Sequence, residues 1–446
     1  MQKRSDYPVS NPSCVDAEEA QGDEEIMRYI RRQQAKKIAA GATQEELDKL
    51  LCFPEILPLG IPSTPAAILK SSQNQFLSEF ERKEILEFPY VYYIGARSRK
   101  KAAVLDNSTY NYGYDDDRGD YLAVNHDHLE FRYEIIDTLG KGIFGQVFHC
   151  RDHCTGESVA IKIIRNEKRF HQQALVEIKI LENFRKWDPE DKHHMIKMTK
   201  YFYFRNHWCI AMELLSINLY ELIKANDFVG FSTALIRRFT SQMLLSLSFM
   251  RHHRIVHCDL KPENVLLCHA AKSALKIIDF SSSCLEHEKI LTYIQSRYYR
   301  SPEVILGMNY HMAIDMWSLG CILAELYTGR PIFPGENEQE QLSRIMEVLG
   351  TPDKEFVNRC SQKKLFFVVD PNGIPRPVIN SKGHRRRPGT KTIAQVLKCN
   401  GEELVFIDFI SKCLVWDPER RIKPQAAMRH PFVTAGKRSE PPAFFS

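Results

Sequence analysis

Between Ile255 and Phe280 lie two short apolar segments, I-V-H-C-D-L-K-P-E-N-V-L-L and L-K-I-I-D-F, separated by a short turn. Such runs read as strands, and a turn between them brings their ends together. This constraint gathers Asp259, Lys261, Asn264 and Asp279. Asn264 and Asp279 can then hold a metal on nucleotide phosphates while Asp259 faces an incoming hydroxyl, the outline of a phosphoryl-transfer site.

The chain's 446 residues exceed one compact core and suit about two or three domains or lobes. A formal charge of +5, from 61 basic and 56 acidic residues, gives no argument for nucleic acid as a ligand. The start, M-Q-K-R-S-D-Y-P, lacks the apolar core of a signal peptide, and no apolar run approaches the roughly 20 residues that cross a bilayer. An intracellular protein, cytoplasmic or nuclear or both, without membrane attachment, is therefore expected. Its 12 cysteines are scattered without paired spacing, as reduced thiols would be. His149, Cys150, His153 and Cys154 lie close together, but strand alternation sends neighbours to opposite faces and no second half-site exists, so zinc is not expected.

Residues 1–64 read as an extension, partly helical or disordered. Asp23, Glu24 and Glu25 lead into I-M-R-Y-I-R-R-Q-Q-A-K-K-I-A-A, and acid first with base last favours a helix. Its apolar residues are few, so a solvent-exposed or partner-dependent docking arm is expected, with a regulatory partner. Residues 65–132 hold a second helical pattern, the aromatic stretch F-P-Y-V-Y-Y-I-G, an acidic run from Tyr114 to Tyr121 and H-D-H at 126–128. The tyrosines and histidines flanking the acids point to a segment tied by hydrogen bonds onto the domain that follows. From Tyr133 the pattern changes to strands, and from Asn218 to Phe432 it is mainly helical.

Gly140, Lys141, Gly142, Ile143, Phe144, Gly145, Gln146 and Val147 fall between two strands. Glycines there let backbone amides approach phosphates, and a strand rather than a helix after the third glycine excludes a dinucleotide fold. Lys162 ends V-A-I-K, after Ala160. Glu177 shares a helical stripe with Ala174, Ile178 and Leu181, and a carboxylate there needs a cation. Lys162 paired with Glu177 and with nucleotide phosphates meets both needs. The strand C-I-A-M-E-L-L offers backbone to adenine, with Met212 lining the pocket.

With the glycine loop, Lys162, Glu177, H-C-D at 257–259, Asn264, D-F at 279–280 and S-P-E at 301–303, the chain resembles a eukaryotic protein kinase over roughly residues 133–432. H-C-D, T-Y-I-Q-S-R-Y-Y-R-S-P-E-V-I-L-G, K-R-F-H-Q-Q-A and N-L-Y-E-L-I-K look like the dual-specificity tyrosine-phosphorylation-regulated kinases, the DYRK family of the CMGC group. The Y-D-D-D-x-G-D-Y and H-D-H segment is similar to the N-terminal box of its class II members.

The resemblance implies an α+β, two-lobed protein kinase fold. A small antiparallel β-sheet lobe with one main helix (133–215) precedes a large mainly α-helical lobe (216–432, with an insert near 360–400). The extension and the box segment packed on the small lobe come before these, and a tail, 433–446, follows. It implies ATP and Mg2+ as cofactors, protein substrates and a monomer. Residue by residue, Asp259 becomes the base, Lys261 steadies the transferring phosphoryl group, and Asn264 and Asp279 hold magnesium. Gly140 through Val147, Ala160, Lys162, Met212 and the hinge Glu213 to Leu215 bind ATP. Glu303 and Arg421 form a buried ion pair, and Asp315 braces the catalytic loop. Tyr293 becomes the autophosphorylated activation-loop tyrosine, clamped by Arg297 and Arg300. Serine and threonine substrates are implied, with a proline after the target and Glu263 meeting an upstream arginine.

Two positions depart from the family. Ser281 replaces the glycine of D-F-G and lacks its freedom at positive φ, and Leu291 replaces the first tyrosine of Y-x-Y. Ser281 sustains an alternative, a pseudokinase scaffold with weakened catalysis. Cys258 and Cys284 are a candidate redox pair, weighed against two buried unreactive thiols, and R-R-R at 385–387 reads as a solvated loop rather than a nuclear address.

Overall fold

The computed structural model describes residues 12–41, 43, 54–101, 103, 110–288, 293–369, 375–378, 386–399 and 403–435. Leu291 and Arg385 lie outside these. The chain divides into two compact units, a smaller one over Cys52–Leu215 and a larger one over Ser216–Ser446 that also takes in the N-terminal residues through Leu51.

In the smaller unit, β1 (His128–Leu129), β2 (Tyr133–Gly142), β3 (Gly145–Asp152), β4 (Ser158–Ile164), β5 (Met198–Phe204) and β6 (His207–Glu213) form one antiparallel sheet in the order β1-β2-β3-β4-β6-β5. Its buried face carries Tyr133, Ile135, Phe148, Cys150, Ile161 and Phe202, supplied by the alternation of each strand. The main helix, Lys168–Trp187, buries Ala174, Glu177, Ile178 and Leu181, the expected stripe.

Ahead of the sheet, short helices Pro65–Lys70 and Glu79–Glu84 bring Ile68, Leu77, Ile85, Val91 and Ile94 around Phe131. Ser78 and Glu81 form a capping box, which starts the second helix and also buries Glu81. Glu81 then accepts from Lys100 Nζ (2.8 Å), His128 Nε2 (3.0 Å) and Arg205 Nη2 (3.3 Å), while Arg205 also binds Glu84 (2.8 and 2.9 Å). His128 Nδ1 accepts from Phe131 N–H, which assigns the imidazole proton to Nε2 and makes it the donor to Glu81. Burial lowers the His128 pKa, and Lys100 and Arg205 bring positive charge to the Glu81 carboxylate. Burial alone would raise Glu81, but the bonds and charges around it hold its carboxyl well below the usual carboxylate range. The acidic run is anchored likewise: Asp115 to His207 (2.7 Å), and Asp120 to Arg165 (2.8 and 3.0 Å) and to Lys141 (2.8 Å). Hydrogen bonds and ion pairs thus join Glu81, Glu84, Asp115, Asp120 and His128 to residues of the strands and their connections.

In the larger unit, the helix Ala313–Thr328 is buried along nearly its whole length and forms the centre. Helices Leu219–Ala225 and Thr233–His252 precede β7 (Ile255–Val256), β8 (Val265–Leu267), β9 (Leu275–Ile277) and β10 (Cys284–Leu285). These strands pair antiparallel as β8 with β9 and β7 with β10. The first expected strand pair thus closes as a hairpin, with Val265 opposite Ile277.

The N-terminal helix departs from expectation. It runs Pro12–Ala39 and packs on Leu219–Ala225 and Thr233–His252 rather than standing free, with Gly22, Glu25, Ile26 and Tyr29 buried. Arg386 also differs from a solvated loop: it binds Glu340 (2.6 and 2.9 Å) and Glu347 (3.1 Å) on the helix Glu338–Leu349.

Candidate active site

The residues expected to act together fall in both units. In the smaller one, β2 and β3 turn over at the glycine loop, where Gly142 pairs with Gly145. Gly145 has φ +145°, and a Cβ there would meet Ile163 O at 2.0 Å, so glycine is required. A Cβ on Gly140 or Gly142 would meet nothing within 4 Å, which leaves their backbone open to a phosphate. On β4, Lys162 donates from Nζ to Glu177 Oε1 (2.8 Å) and Oε2 (3.0 Å), with both side chains nearly buried. Ala160 sits opposite Met212 in register, and β6 ends at Glu213, whose Oε1 accepts from Lys197 N–H (2.8 Å). Leu215 follows, half-buried.

In the larger unit, the hairpin and the segment before it bring Asp259, Lys261 and Asn264 together. Asp259 Oδ2 accepts from Lys261 Nζ (2.7 Å), and Oδ1 accepts from Ser296 N–H (2.9 Å) and Ser296 Oγ (2.8 Å). Lys261 Nζ reaches the same Ser296 hydroxyl at 3.2 Å. Asn264 Nδ2 donates to Asp259 O (2.8 Å), and Ile278 N–H donates to Asn264 O (3.0 Å), which locks the loop to the strand that leads to Asp279. With Nδ2 so engaged, the amide oxygen of Asn264 is the atom it could offer a metal. Beneath the loop, Asp315 accepts from His257 N–H (2.8 Å) and Cys258 N–H (3.2 Å). Burial raises the Asp315 pKa, against the lowering effect of those bonds.

Glu303 and Arg421 form a two-pronged ion pair at 2.7 and 2.9 Å, and both side chains are 0 % exposed. Tyr293 is 70 % exposed, with the Arg300 guanidinium 4.2 Å from its ring centre. Arg300 also donates to Ile294 O, Gln295 O and Glu338, while Arg297 donates to Glu336 O (2.8 Å). Backbone carbonyls thus hold both guanidinium groups, and Glu338 holds that of Arg300 as well.

The concern over Ser281 dissolves in the backbone. The left-handed residue is Asp279 (φ 60°, ψ 78°), while Ser281 lies in a 3-10 turn outside the positive-φ set, so no glycine is called for there. Its buried hydroxyl has no hydrogen-bond partner. Cys258 and Cys284 lie 3.8 Å apart, and their mutual hydrogen bond together with burial raises the Cys258 thiol well above its ordinary pKa, which disfavours the reactive thiolate.

Among the described residues, one further cluster has metal-like spacing: Glu81, Asp127 and His128. Lys100 Nζ already lies 2.8 Å from Glu81 and 3.6 Å from Asp127, so the cluster's negative charge is met by protein cations. No described helix is long and apolar enough to cross a membrane. Sequence reasoning gave no role to Ser296 or to Gln295, which has φ 62° and donates to Tyr299 O, Ile314 O and Ser318 Oγ. Their neighbours in the Y-I-Q-S-R-Y-Y run could have drawn attention to them.

Residues 133–433 match the protein kinase domain. The chain is 54% identical over 359 residues to the DYRK-family kinase pom1 of Schizosaccharomyces pombe, which covers 80% of this chain and 33% of that protein. It is 50% identical over 381 residues to human dual specificity tyrosine-phosphorylation-regulated kinase 4, covering 85% of this chain and 72% of that one. A Drosophila melanogaster relative, dual specificity tyrosine-phosphorylation-regulated kinase 2, is 51% identical over 84% of this chain and 52% of its own length. The chain therefore spans a third to about three quarters of these relatives. They are kinases by name, and nothing in these matches favours a scaffold without catalysis. A matched kinase domain, an intact set of charged groups and half-identity beyond the domain's own boundary place the chain in the DYRK family of protein kinases.

Proposed function

We propose that the chain transfers the γ-phosphate of ATP to serine and threonine hydroxyls of protein substrates, after phosphorylating its own Tyr293. The observation that carries this reading is the double hold on Asp259 by Lys261 and Ser296. It aims the carboxylate and sets a cation beside it, as suits a base that accepts a proton from a hydroxyl. Lys261, already at the carboxylate, is placed to steady charge as the phosphoryl group moves.

Lys162, oriented by Glu177, would hold the phosphates of ATP, Gly140 to Val147 would cover them through backbone amides, and Ala160, Met212, Glu213 and Leu215 would receive adenine. The Asn264 amide oxygen and the Asp279 carboxylate are hard oxygen donors that fit Mg2+, and the bound ion would neutralise charge on the phosphates. Arg297 and Arg300 would receive the phosphate on Tyr293. Glu263 favours an arginine upstream of the target. Its charge also helps burial raise the pKa of Glu325 to about 7, so acidic groups gather there. A proline after the target completes the proposed preference.

The test uses purified full chain with Mg2+ and ATP. Phosphate on Tyr293 by mass spectrometry and transfer to a peptide containing arginine and proline are expected. Asp259→Asn should lower both by a factor of about 10² or more. If the unaltered chain shows neither reaction, the proposal is wrong.

A further inference from the structure

Arg297 and Arg300 both reach one short stretch, residues 335–338, that leads into the helix Glu338–Leu349. Arg297 Nη1 donates to Glu336 O at 2.8 Å, and Arg300 Nη1 donates to Glu338 Oε1 at 2.8 Å. The stretch is fixed by bonds of its own. A Cβ on Gly335 would meet Gln341 N at 2.5 Å, and Gln341 Oε1 accepts from Gly335 N–H (3.0 Å). Asn337 Oδ1 caps the helix by accepting from Glu340 N–H (2.9 Å). Gln341 also donates to Tyr298 O (3.4 Å), so the start of this helix is tied to the activation segment without Glu338.

Arg300 is enclosed, with its side chain 3 % exposed. A guanidinium offers five N–H hydrogens. Nε–H is shared between Ile294 O (2.9 Å) and Gln295 O (3.2 Å), Nη2 donates to Gln295 O (2.7 Å), and Nη1 donates to Glu338. Among the described residues, the Glu338 carboxylate is thus the one anion bonded to this cation; its other acceptors are neutral carbonyls. One hydrogen on each terminal nitrogen remains for a further acceptor. The Tyr293 ring covers the guanidinium face at 4.2 Å, and nearby Arg297 Nε is buried with no partner among the described residues.

An enclosed cation with neutral partners alone is costly, so Glu338 supplies the balancing charge while Tyr293 is bare. Phosphate on Tyr293 would bring close to two negative charges to the same guanidinium, with which it can pair through two parallel bonds. Glu338 then becomes a like charge beside it. It can leave at little cost. Its side chain is 36 % exposed and it is the first residue of a helix, where water and the helix dipole both favour a carboxylate.

We infer that Glu338 is a positioning residue that keeps the phosphate's place on Arg300 until Tyr293 is phosphorylated, and that the phosphate then displaces it. The inference rests on the reading of Tyr293 as the self-modified tyrosine. Arg300 grips the carbonyls of Ile294 and Gln295, and Ser296, the next residue, is bonded to Asp259. The ion pair with Glu338 therefore seats the stretch that aims the carboxylate before any phosphate exists.

The test compares the full chain with its Glu338→Gln variant, each assayed as purified and after stripping by a tyrosine phosphatase, with phosphate on Tyr293 followed by mass spectrometry. In the stripped pair Glu338→Gln should lower kcat/KM for a peptide containing arginine and proline at least about fivefold, and in the phosphorylated pair less than about twofold. Glu338→Asp, which keeps the charge, should recover most of the loss. Hydrogen exchange gives a readout independent of activity. Amides of residues 293–301 should exchange at least about tenfold faster in stripped Glu338→Gln than in the stripped unaltered chain, and alike in the phosphorylated pair, with 313–328 unchanged throughout. If the variant is purified without phosphate, or the stripped chains are inactive, exchange in the stripped pair decides. Effects equal in the two states, or absent from both, overturn the inference. So does faster exchange in 313–328, which would make Glu338 a support of the whole unit. An unaltered chain that never carries phosphate on Tyr293 overturns the reading of that tyrosine, and this inference with it.

Discussion

Two segments upstream of the kinase domain are attached in opposite ways. Residues 65–132 enter the smaller unit through buried charge: Arg205, with its side chain 1 % exposed, joins Glu81 and Glu84, and Phe131 sits wholly inside. The N-terminal helix lies on the larger unit through a two-turn stripe and surface ion pairs such as Lys36 with Asp227. The first attachment cannot be undone without stranding charges in a low-dielectric interior. The second leaves groups that water can serve. The difference teaches that adjacent stretches of an extension can belong to different thermodynamic classes, one a part of the fold and the other a ligand of it.

The strongest way to break this contrast is Arg205→Ala. Removing one partner of a buried charge cluster typically costs about 3–5 kcal/mol, so β5 and β6 should lose hydrogen-exchange protection while the helix 313–328 keeps its own. Unchanged protection in β5 and β6 would mean that the charge network contributes little.

Acid sharpens the contrast next. Burial would raise Glu134, yet hydrogen bonds from His153 and His126 outweigh it and bring its carboxyl down to about 2. Glu81, Asp120 and Asp152 are likewise held below their ordinary range, burial being overcome by their cationic partners. A depressed folded-state pKa contributes stability that is complete above the unfolded value and lost as pH falls through the folded one. The smaller unit should therefore weaken as pH falls from about 4.5 toward 2. In the N-terminal helix Asp23 is lowered as well, its bonds from Ser273 and Lys272 overcoming burial; its partner Lys272 is solvent-exposed, so exchange rates there should respond less to acid. An equal response in both segments would erase the distinction.

The smallest effect is expected for Gly22→Ala. Helix propensity should gain about 1 kcal/mol, while the new methyl crowds Ser273 and Arg238. Circular dichroism should show unchanged or slightly higher helicity, and docking of residues 22–29, followed by hydrogen exchange, should loosen.

The kinase domain was legible because its chemistry is written in strand and turn patterns. V-A-I-K placed Lys162 on a strand, the helical stripe placed Glu177, and the two apolar segments became β8 and β9. The expected pairs Lys162 with Glu177 and Glu303 with Arg421 are both present. The docked helix was not legible, for a physical reason: Gly22 and Glu25 are among the buried positions of its described residues, so no apolar periodicity marks the face. Arg386 was misread similarly, since its acidic partners Glu340 and Glu347 lie some forty residues earlier in the chain. The Ser281 concern failed because the strained residue of that turn is its aspartate.

Ser296 carries a further consequence. Its hydroxyl rests 2.8 Å from the carboxylate of Asp259, on an oxygen that a substrate alcohol would also seek. A serine of the chain thus takes the place on Asp259 that a substrate serine would take in the proposed reaction. The direction of the Asp259 carboxylate is thus set through the same kind of bond that a substrate hydroxyl would make in the proposed reaction, so the placement of Ser296 and the aim of the carboxylate are one variable.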